Sequence, residues 1–254
     1  MHDLAWSNML PALVELMEDT RGKLLRKQRK SLLKGRLRFI SDIFKNYKQS
    51  RSPIEIIPSP ADICNMPQVM ALLEDPAPDA HITPESFAEL QEQFPSLCKD
   101  WIASRNQELV SLMPGHPVNL IAGADEFRRL DLATTFFKCS ECIEPISYPR
   151  VLVHGCLTAL RLGNRNREDN QALIYASLDC EPWNTGRGRI SYFDAAEASA
   201  RSVLEIYGLD ADVVTAADLN DTNKWLECLR CTHPIKGRLV FKWQKAVGVY
   251  NVSA

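Results

Sequence analysis

The sequence lacks the features that identify membrane-spanning, secreted and familiar catalytic chains. No stretch approaches about 18 consecutive apolar residues, so we expect no membrane-spanning helix. The first residues contain no basic segment followed by an apolar run, so we expect no secretory signal and a cytoplasmic or nuclear location. Glycine-rich phosphate loops, the G-x-S-x-G elbow and the H-E-x-x-H motif do not occur, so we predict no catalytic residue.

The chain also lacks a strong net charge, but its charges are unevenly distributed. Residues 21–51 contain 12 lysines or arginines and one acid, Asp42, so this segment carries +11 and the rest of the chain −13, for a total of −2. The basic residues that are candidates for a nucleic-acid or partner contact are Arg26, Lys27, Arg29, Lys30, Lys34, Arg36 and Arg38. The alternative is a solvated helix face whose aliphatic stems cover an apolar stripe at Leu33, Leu37, Ile40, Phe44 and Tyr47.

What the sequence does have is two C-x2-C pairs, which we name the first and second knuckles. The first knuckle contains Cys139 and Cys142, the second contains Cys228 and Cys231, and 85 residues separate them. Two residues between cysteines let both sulfurs turn to one side of a tight loop, as a tetrahedral zinc ion requires. Because cysteines in a chain without secretion features are expected to be reduced or metal-bound, we predict a structural zinc ion.

The ligands of this zinc ion can be grouped in three ways. The candidate ligands are Cys139, Cys142, His154, Cys156, Cys228, Cys231 and His233. The two knuckles could share one four-cysteine site, or the first could combine with His154 or Cys156 and a further ligand. In the third grouping, the second knuckle recruits His233 and an outside residue. In a helix over residues 149–160, His154 and Cys156 would point about 200° apart, so only one of them could face the metal. We favour His154 joining Cys139 and Cys142, followed closely by the shared four-cysteine site. The alternative to a metal site is that some of these cysteines are simply buried in the core as small hydrophobic residues.

Hydrophobic periodicity and capping residues predict an α+β fold, with a long basic helix in a helical N-terminal half and a mixed, cysteine-bearing C-terminal half. The predicted segments are a basic helical arm at 1–50, a Pro-rich strap with helices at 51–120 and a cysteine-bearing α+β module at 121–254. The predicted helices are 4–18 with an interruption near Pro11, 20–47, one starting at Thr83, 96–113, 124–134, 194–207 and one capped by Thr215. The predicted strands are 135–137 and 172–178, and residues 148–160 fit either a strand or a helix. Gly186 to Arg189 are interpreted as a solvated loop, and the less favoured alternative is a basic loop that contacts a phosphate.

Several short motifs lie in and around these segments. They include Leu132-Ala133-Thr134-Thr135, Cys139-x2-Cys142, the run from Tyr148 to Leu157, and Cys228-x2-Cys231. In these motifs, and over most of its length, the chain resembles a group of uncharacterised fungal proteins, mainly from basidiomycetes, of which some are labelled F-box-like or zinc-finger proteins. The group implies no biochemical activity. Its members often carry two histidines on a helix after the second cysteine pair, whereas here Tyr250 stands at the first of these positions.

These observations predict a non-enzymatic intracellular protein that is stabilised by structural zinc and acts as an adaptor for an unknown protein partner. The first alternative is a nucleic-acid-associated regulator that uses the basic helix at 21–48 and the zinc module. The second alternative, and the least favoured, is an enzyme without a familiar motif. We expect no membrane partner.

Overall fold

The protein is helical in its N-terminal part and mixed in its C-terminal part. The structure, a computed structural model, describes residues 2–74, 84–115, 124–142, 144–161, 169–233, 235 and 237–250. The strands of the described residues are short, antiparallel and confined to residues 136–241. This is an α+β arrangement, so the predicted fold class is confirmed. Among the described residues, no helix is both long and apolar enough to cross a membrane.

Helices make up most of the described secondary structure. The α-helices are α1 (His2–Gln49), α2 (Pro60–Cys64), α3 (Pro67–Glu74), α4 (Ala88–Ser111), α5 (Ala124–Asp131), α6 (Gly155–Thr158), α7 (Asn170–Leu178), α8 (Asp194–Tyr207), α9 (Ala216–Asp221) and α10 (Trp243–Tyr250). The strands are β1 (Phe136–Cys139), β2 (Ile146–Ser147), β3 (Ile190–Tyr192), β4 (Leu226–Glu227) and β5 (Val240–Phe241). Two 3-10 helices cover Pro84–Phe87 and Arg150–Val153.

Internal contacts divide the chain into two compact units. Unit 1 contains Met1–Pro53, Pro60–Phe94 and Leu160–Cys180; unit 2 contains Ile54–Ser59, Pro95–Ala159 and Glu181–Ala254. Both knuckles lie in unit 2, whereas the basic residues of α1 lie in unit 1. The three-segment division based on sequence position stays a prediction, and residues 116–123, around its second boundary, lie outside the described part of the chain.

Helix α1 is continuous, so the interruption predicted near residue 11 is wrong. Pro11 lies inside the helix, where proline removes one backbone hydrogen bond without forcing the chain to leave the helix. The apolar stripe predicted for its second half is buried at Leu33, Leu37 and Ile40. The ring of Tyr47 lies 4.8 Å from that of Phe94, centroid to centroid. The second half of α1 is therefore the part that packs into unit 1.

Two other secondary-structure predictions need correction. The strand predicted at 172–178 is the helix α7, whose start is capped by the Asp169 side chain accepting the Ala172 N–H at 2.8 Å. A short apolar run fits a buried strand and a buried helix equally well, which explains the error. Helix α4 begins at Ala88 rather than near residue 96 and continues through Pro95. The helix start predicted at Thr83 lies outside the described residues.

The main sheet of unit 2 has the strand order β2-β1-β3, with β1 in the centre. Phe137 pairs with Ile146 on one side, and Cys139 pairs with Ile190 on the other. The strand predicted at 135–137 is confirmed as part of β1. Since Cys139 is the last residue of β1, the sheet places the first knuckle at a strand end with a fixed register.

A second part of unit 2 packs helices α8 and α10 around Phe136. Helix α8 ends at Gly208, whose φ of 67° allows the left-handed backbone that closes a helix. Thr215 caps α9 through a capping box with Asp218. The helix predicted at 194–207 and the cap predicted at Thr215 are therefore confirmed. Strands β4 and β5 form a separate two-stranded hairpin that carries the second knuckle and leads into α10.

Candidate metal centre

The first knuckle is held in place by backbone hydrogen bonds at the end of β1. Cys139 is buried, with 5% of its surface exposed. The Ser140 N–H donates to the Arg189 carbonyl at 2.9 Å, and the Glu141 N–H donates to the Cys139 sulfur at 3.4 Å. These bonds turn the chain directly after the strand, so Cys142 returns to the same side as Cys139.

Two further candidate ligands come from the segment that follows β2. His154 lies between the 3-10 helix Arg150–Val153 and α6, and its φ of −69° and ψ of 118° are those of extended backbone. Cys156 is in the first turn of α6. The expectation that only one of these residues could face a metal is wrong, because the helix assumed for residues 149–160 is broken at His154.

The structure brings Cys139, Cys142, His154 and Cys156 together. One ligand atom from each residue lies within 4.8 Å of the other three, and the Cys142 sulfur is 3.3 Å from His154 Nε2. Zinc–sulfur bonds of about 2.3 Å in a tetrahedral site place two sulfurs about 3.8 Å apart. Four donor atoms at this spacing can hold a metal ion, and the set needs no ligand from elsewhere in the chain.

Burial and mutual proximity shape the protonation of these ligands. The pKa of the Cys142 thiol is raised to about 11, first by burial and then by the neighbouring Cys139. The pKa of Cys156 is raised for the same two reasons. Burial, followed by the positive charge of Arg150, lowers the pKa of His154 and favours the neutral imidazole that binds metals. Crowded thiols oppose simultaneous ionisation, and a bound cation removes that penalty.

A buried arginine supports the segment that carries His154 and Cys156. The Arg189 guanidinium forms an ion pair with Glu181, and the two side chains are 2% and 0% exposed. Arg189 also donates to the carbonyl oxygens of Cys156, Leu157 and Ala159, each at 3.3 Å. The prediction of a solvated loop is therefore wrong for Arg189. Its role could not be read from the sequence because the carbonyl groups that it binds lie 30 to 33 residues earlier in the chain.

The indole of Trp183 adds a second support. Its Nε1–H donates to the Val151 carbonyl at 2.9 Å, inside the 3-10 helix that precedes His154. Trp183 is 2% exposed, so this hydrogen bond is shielded from water. The backbone carrying the two ligands is thus fixed from more than one side.

The second knuckle has a regular backbone but a different environment. The Cys228 N–H donates to the Leu239 carbonyl across the hairpin at 2.9 Å, and the Cys231 N–H donates back to the Cys228 carbonyl at 3.1 Å. Cys231 is exposed, and Cys228 is partly exposed. The pKa of Cys228 is lowered, first because the Cys231 side chain hydrogen-bonds to it.

Neither grouping that included the second knuckle is formed. Among the described residues, the cluster of Cys139, Cys142, His154 and Cys156 contains neither Cys228 nor Cys231. His233 does not complete the second knuckle either, since among the described residues it joins no group of donor atoms close enough to hold a metal ion.

The basic residues of α1 do not all behave alike. Arg26, Lys27, Arg29, Lys30, Lys34 and Arg38 are exposed. Arg36 is buried and donates to the Leu73 carbonyl at 2.7 Å, so it stabilises the packing of α1 within unit 1. The predicted contact surface therefore loses Arg36 and keeps the other six residues as candidates.

No protein-family model, curated protein or solved structure matches this chain. The resemblance to the fungal group stays a prediction, and the function has to be argued from the residues themselves.

Proposed function

We propose that Cys139, Cys142, His154 and Cys156 bind one structural zinc ion, and that the protein is a zinc-stabilised intracellular adaptor. The observation that supports the zinc site is the convergence of four donor atoms within 4.8 Å. Three sulfurs and one imidazole nitrogen suit zinc, which accepts both donor types and imposes no geometry beyond tetrahedral packing.

The donor count favours a structural ion over a catalytic one. A catalytic zinc keeps one coordination position for water or substrate, with three protein ligands in the others. Here the protein supplies four candidate ligands. They lie at the end of β1, in the turn that follows it, and at the start of α6. Such an ion links the end of β1 to the His154 segment and stabilises the fold of unit 2.

The adaptor part of the proposal draws on the first half of α1. This stretch exposes large apolar side chains that a solvated helix does not need: Trp6, Met9, Leu10, Leu13, Val14, Leu16, Met17, Leu24 and Leu25. Trp6 is 57% exposed and Met17 is 63% exposed. Contiguous exposed apolar residues on one element are typical of surfaces that bind another protein.

Metal content tests the zinc site. Protein purified without added zinc is analysed by elemental mass spectrometry beside Cys139→Ser and Cys156→Ser variants, with Cys180→Ser as the matched control. We expect each of the two variants to lose one zinc per chain relative to the wild type and the control to lose none. Wild-type protein without zinc, or variants with the wild-type zinc content, would contradict the proposal.

The alternative, a nucleic-acid-associated regulator, is favoured by one observation: six basic residues of α1 are exposed together. Its test is binding to random duplex DNA at increasing salt, since phosphate contacts release counterions and weaken steeply with ionic strength. Changing Arg26, Lys27, Arg29 and Lys30 to Ala should abolish this binding. The control variant removes the same charge from the exposed residues Lys99, Lys138, Lys224 and Lys245. Absence of binding by wild-type protein at low salt would eliminate this alternative.

A further inference from the structure

Within the described residues, the second knuckle groups two metal donors, Cys228 and Cys231. Helix α10, which follows its hairpin, has the sequence WQKAVGVY and contains no cysteine, histidine, aspartate or glutamate. Within the described part of the chain, no third ligand joins Cys228 and Cys231 in a cluster. Two thiols on a knuckle are half of the four ligands that a structural zinc ion takes.

The same region carries an exposed apolar surface. Leu229, between the two cysteines, is 83% exposed, and the neighbouring Trp225 and Ile206 are 57% and 64% exposed. These three side chains line a cavity of about 580 Å³ together with Cys228 and Cys231. Large exposed apolar side chains grouped in one place are typical of surfaces that bind another protein.

We propose that the second knuckles of two copies of this chain share one zinc ion, which Cys228 and Cys231 of each copy ligate. A two-fold axis through the metal uses the same two residues twice and therefore supplies four thiolates from a single kind of chain. The same apposition buries Leu229 and Trp225 of both copies against each other, because a two-fold interface is formed by one patch facing itself.

The charges around the second knuckle are compatible with this arrangement. One zinc ion with four thiolates carries a net charge of −2. Arg230 lies between the two cysteines in sequence and borders the same cavity, so two copies bring two positive charges to the metal. Glu227 is paired with Arg238 within its own hairpin, which keeps this carboxylate from adding an uncompensated negative charge.

The test measures mass and zinc content on the full chain, purified under a reducing agent and without added zinc. Light scattering after size-exclusion chromatography should show a dimer. Elemental analysis should give about 1.5 zinc per chain, because each chain holds one zinc at its first knuckle and the two chains share one more. Cys228→Ser should give a monomer with about 1 zinc per chain, and a chelator strong enough to strip the shared ion should dissociate the wild-type dimer. Cys180→Ser is the control and should remain a dimer.

Three results would overturn the shared site. The first is a zinc-loaded wild type that stays monomeric at about 100 µM, and the second is a Cys228→Ser variant that stays dimeric. The third is a Cys228→Ser variant whose zinc content falls by nothing or by one full zinc per chain, instead of by half a zinc per chain. Leu229→Gln provides a second check that keeps both thiols; it should weaken dimerisation at least about tenfold, because the apolar contact is lost. The first-knuckle proposal fails separately, through the zinc content of Cys139→Ser.

Discussion

The two knuckles share a C-x2-C spacing but lie in contrasting surroundings. The first follows the central strand of a three-stranded sheet, and its Cys139 is 5% exposed. Its neighbours His154 and Cys156 complete a set of four donors. The second lies on a two-stranded hairpin, where Cys231 is exposed and Leu229 is 83% exposed. No additional donor joins it within the described residues.

This difference shows that the spacing alone does not define a metal site. A C-x2-C pair orients two sulfurs, but coordination requires two more donors at a similar distance. At the first knuckle the fold supplies them through a break in the helical backbone at His154. At the second knuckle, the described residues of the hairpin and α10 add no donor to the pair, and exposed apolar side chains lie in the same region. We therefore expect the first to stabilise the fold and the second to act between chains.

The largest loss of stability should come from removing a ligand of the first knuckle. Thermal unfolding of this variant is compared with that of a variant that lacks a cysteine of the second knuckle. Cys139→Ser should remove at least about 4 kcal/mol, the stabilisation given by a ligand present at about 1,000 times its dissociation constant. For a chain of 254 residues, a loss of about 4 kcal/mol corresponds to a fall in Tm of about 8 to 16 °C. Cys228→Ser should change the Tm by less, because its site does not hold unit 2 together. Calorimetry of both variants measures the difference.

Chelation provides the matched control for that comparison. Stripping the metal from wild-type protein should lower its Tm at least to that of Cys139→Ser, because both kinds of zinc ion are removed. From Cys139→Ser the chelator removes only the shared ion, so its Tm should fall by the smaller amount expected for Cys228→Ser. Equal falls for Cys139→Ser and Cys228→Ser would mean that both knuckles stabilise the fold, and the contrast between them would be lost.

Breaking the buried support under the first knuckle should have the next largest effect. Arg189→Leu leaves the Glu181 carboxylate buried without its partner and removes three hydrogen bonds to the carbonyls of residues 156, 157 and 159. Loss of one member of a buried ion pair costs about 3 to 5 kcal/mol. We also expect weaker zinc binding, measured by competition with a chromogenic chelator, because the segment that carries Cys156 loses its support.

A double variant separates the ion pair from the packing. Glu181→Leu combined with Arg189→Leu removes both charges, so it should be less destabilised than Arg189→Leu alone, as measured by urea unfolding. A double variant as unstable as the single one would show that the carbonyl hydrogen bonds, rather than the stranded carboxylate, account for the loss.

Much of the fold could be predicted because the relevant signals are local. The stripe at Leu33, Leu37 and Ile40 follows helical periodicity, and these residues are buried in α1. Gly208 and Thr215 mark helix ends through backbone conformation and side-chain capping, which depend on a few neighbouring residues. The α+β fold class follows from the sum of such signals.

The site was harder to predict because its decisive features are not local. The convergence of His154 with Cys156 depends on an extended residue between a 3-10 helix and α6, and no periodicity encodes that break. The role of Arg189 depends on Glu181 and on carbonyl groups about 30 residues earlier in the chain. The strand predicted at 172–178 was wrong because its apolar composition fits two structures, and only packing decides between them.

The smallest effect should come from the exposed member of a matched pair of leucines, one beside a cysteine of each knuckle site. Leu157 follows Cys156 and is 0% exposed, whereas Leu229 follows Cys228 and is 83% exposed. Leu157→Ala should cost about 2 to 5 kcal/mol of unfolding free energy, because it leaves a cavity in the core. Leu229→Ala should change the unfolding free energy of the monomer by less than about 0.5 kcal/mol, since an exposed side chain loses little packing.

Urea unfolding at a protein concentration low enough to keep the chain monomeric measures both costs on the same scale. At higher concentration, Leu229→Ala should still reduce the dimer fraction, whereas Leu157→Ala should reduce it only as far as the fold is lost. A cost above about 2 kcal/mol for Leu229→Ala in the monomer would place this residue in a core and contradict its assignment to an interface between chains. The combination of negligible folding cost and reduced association is the result that distinguishes a surface built for a second copy from a surface that only completes the hairpin.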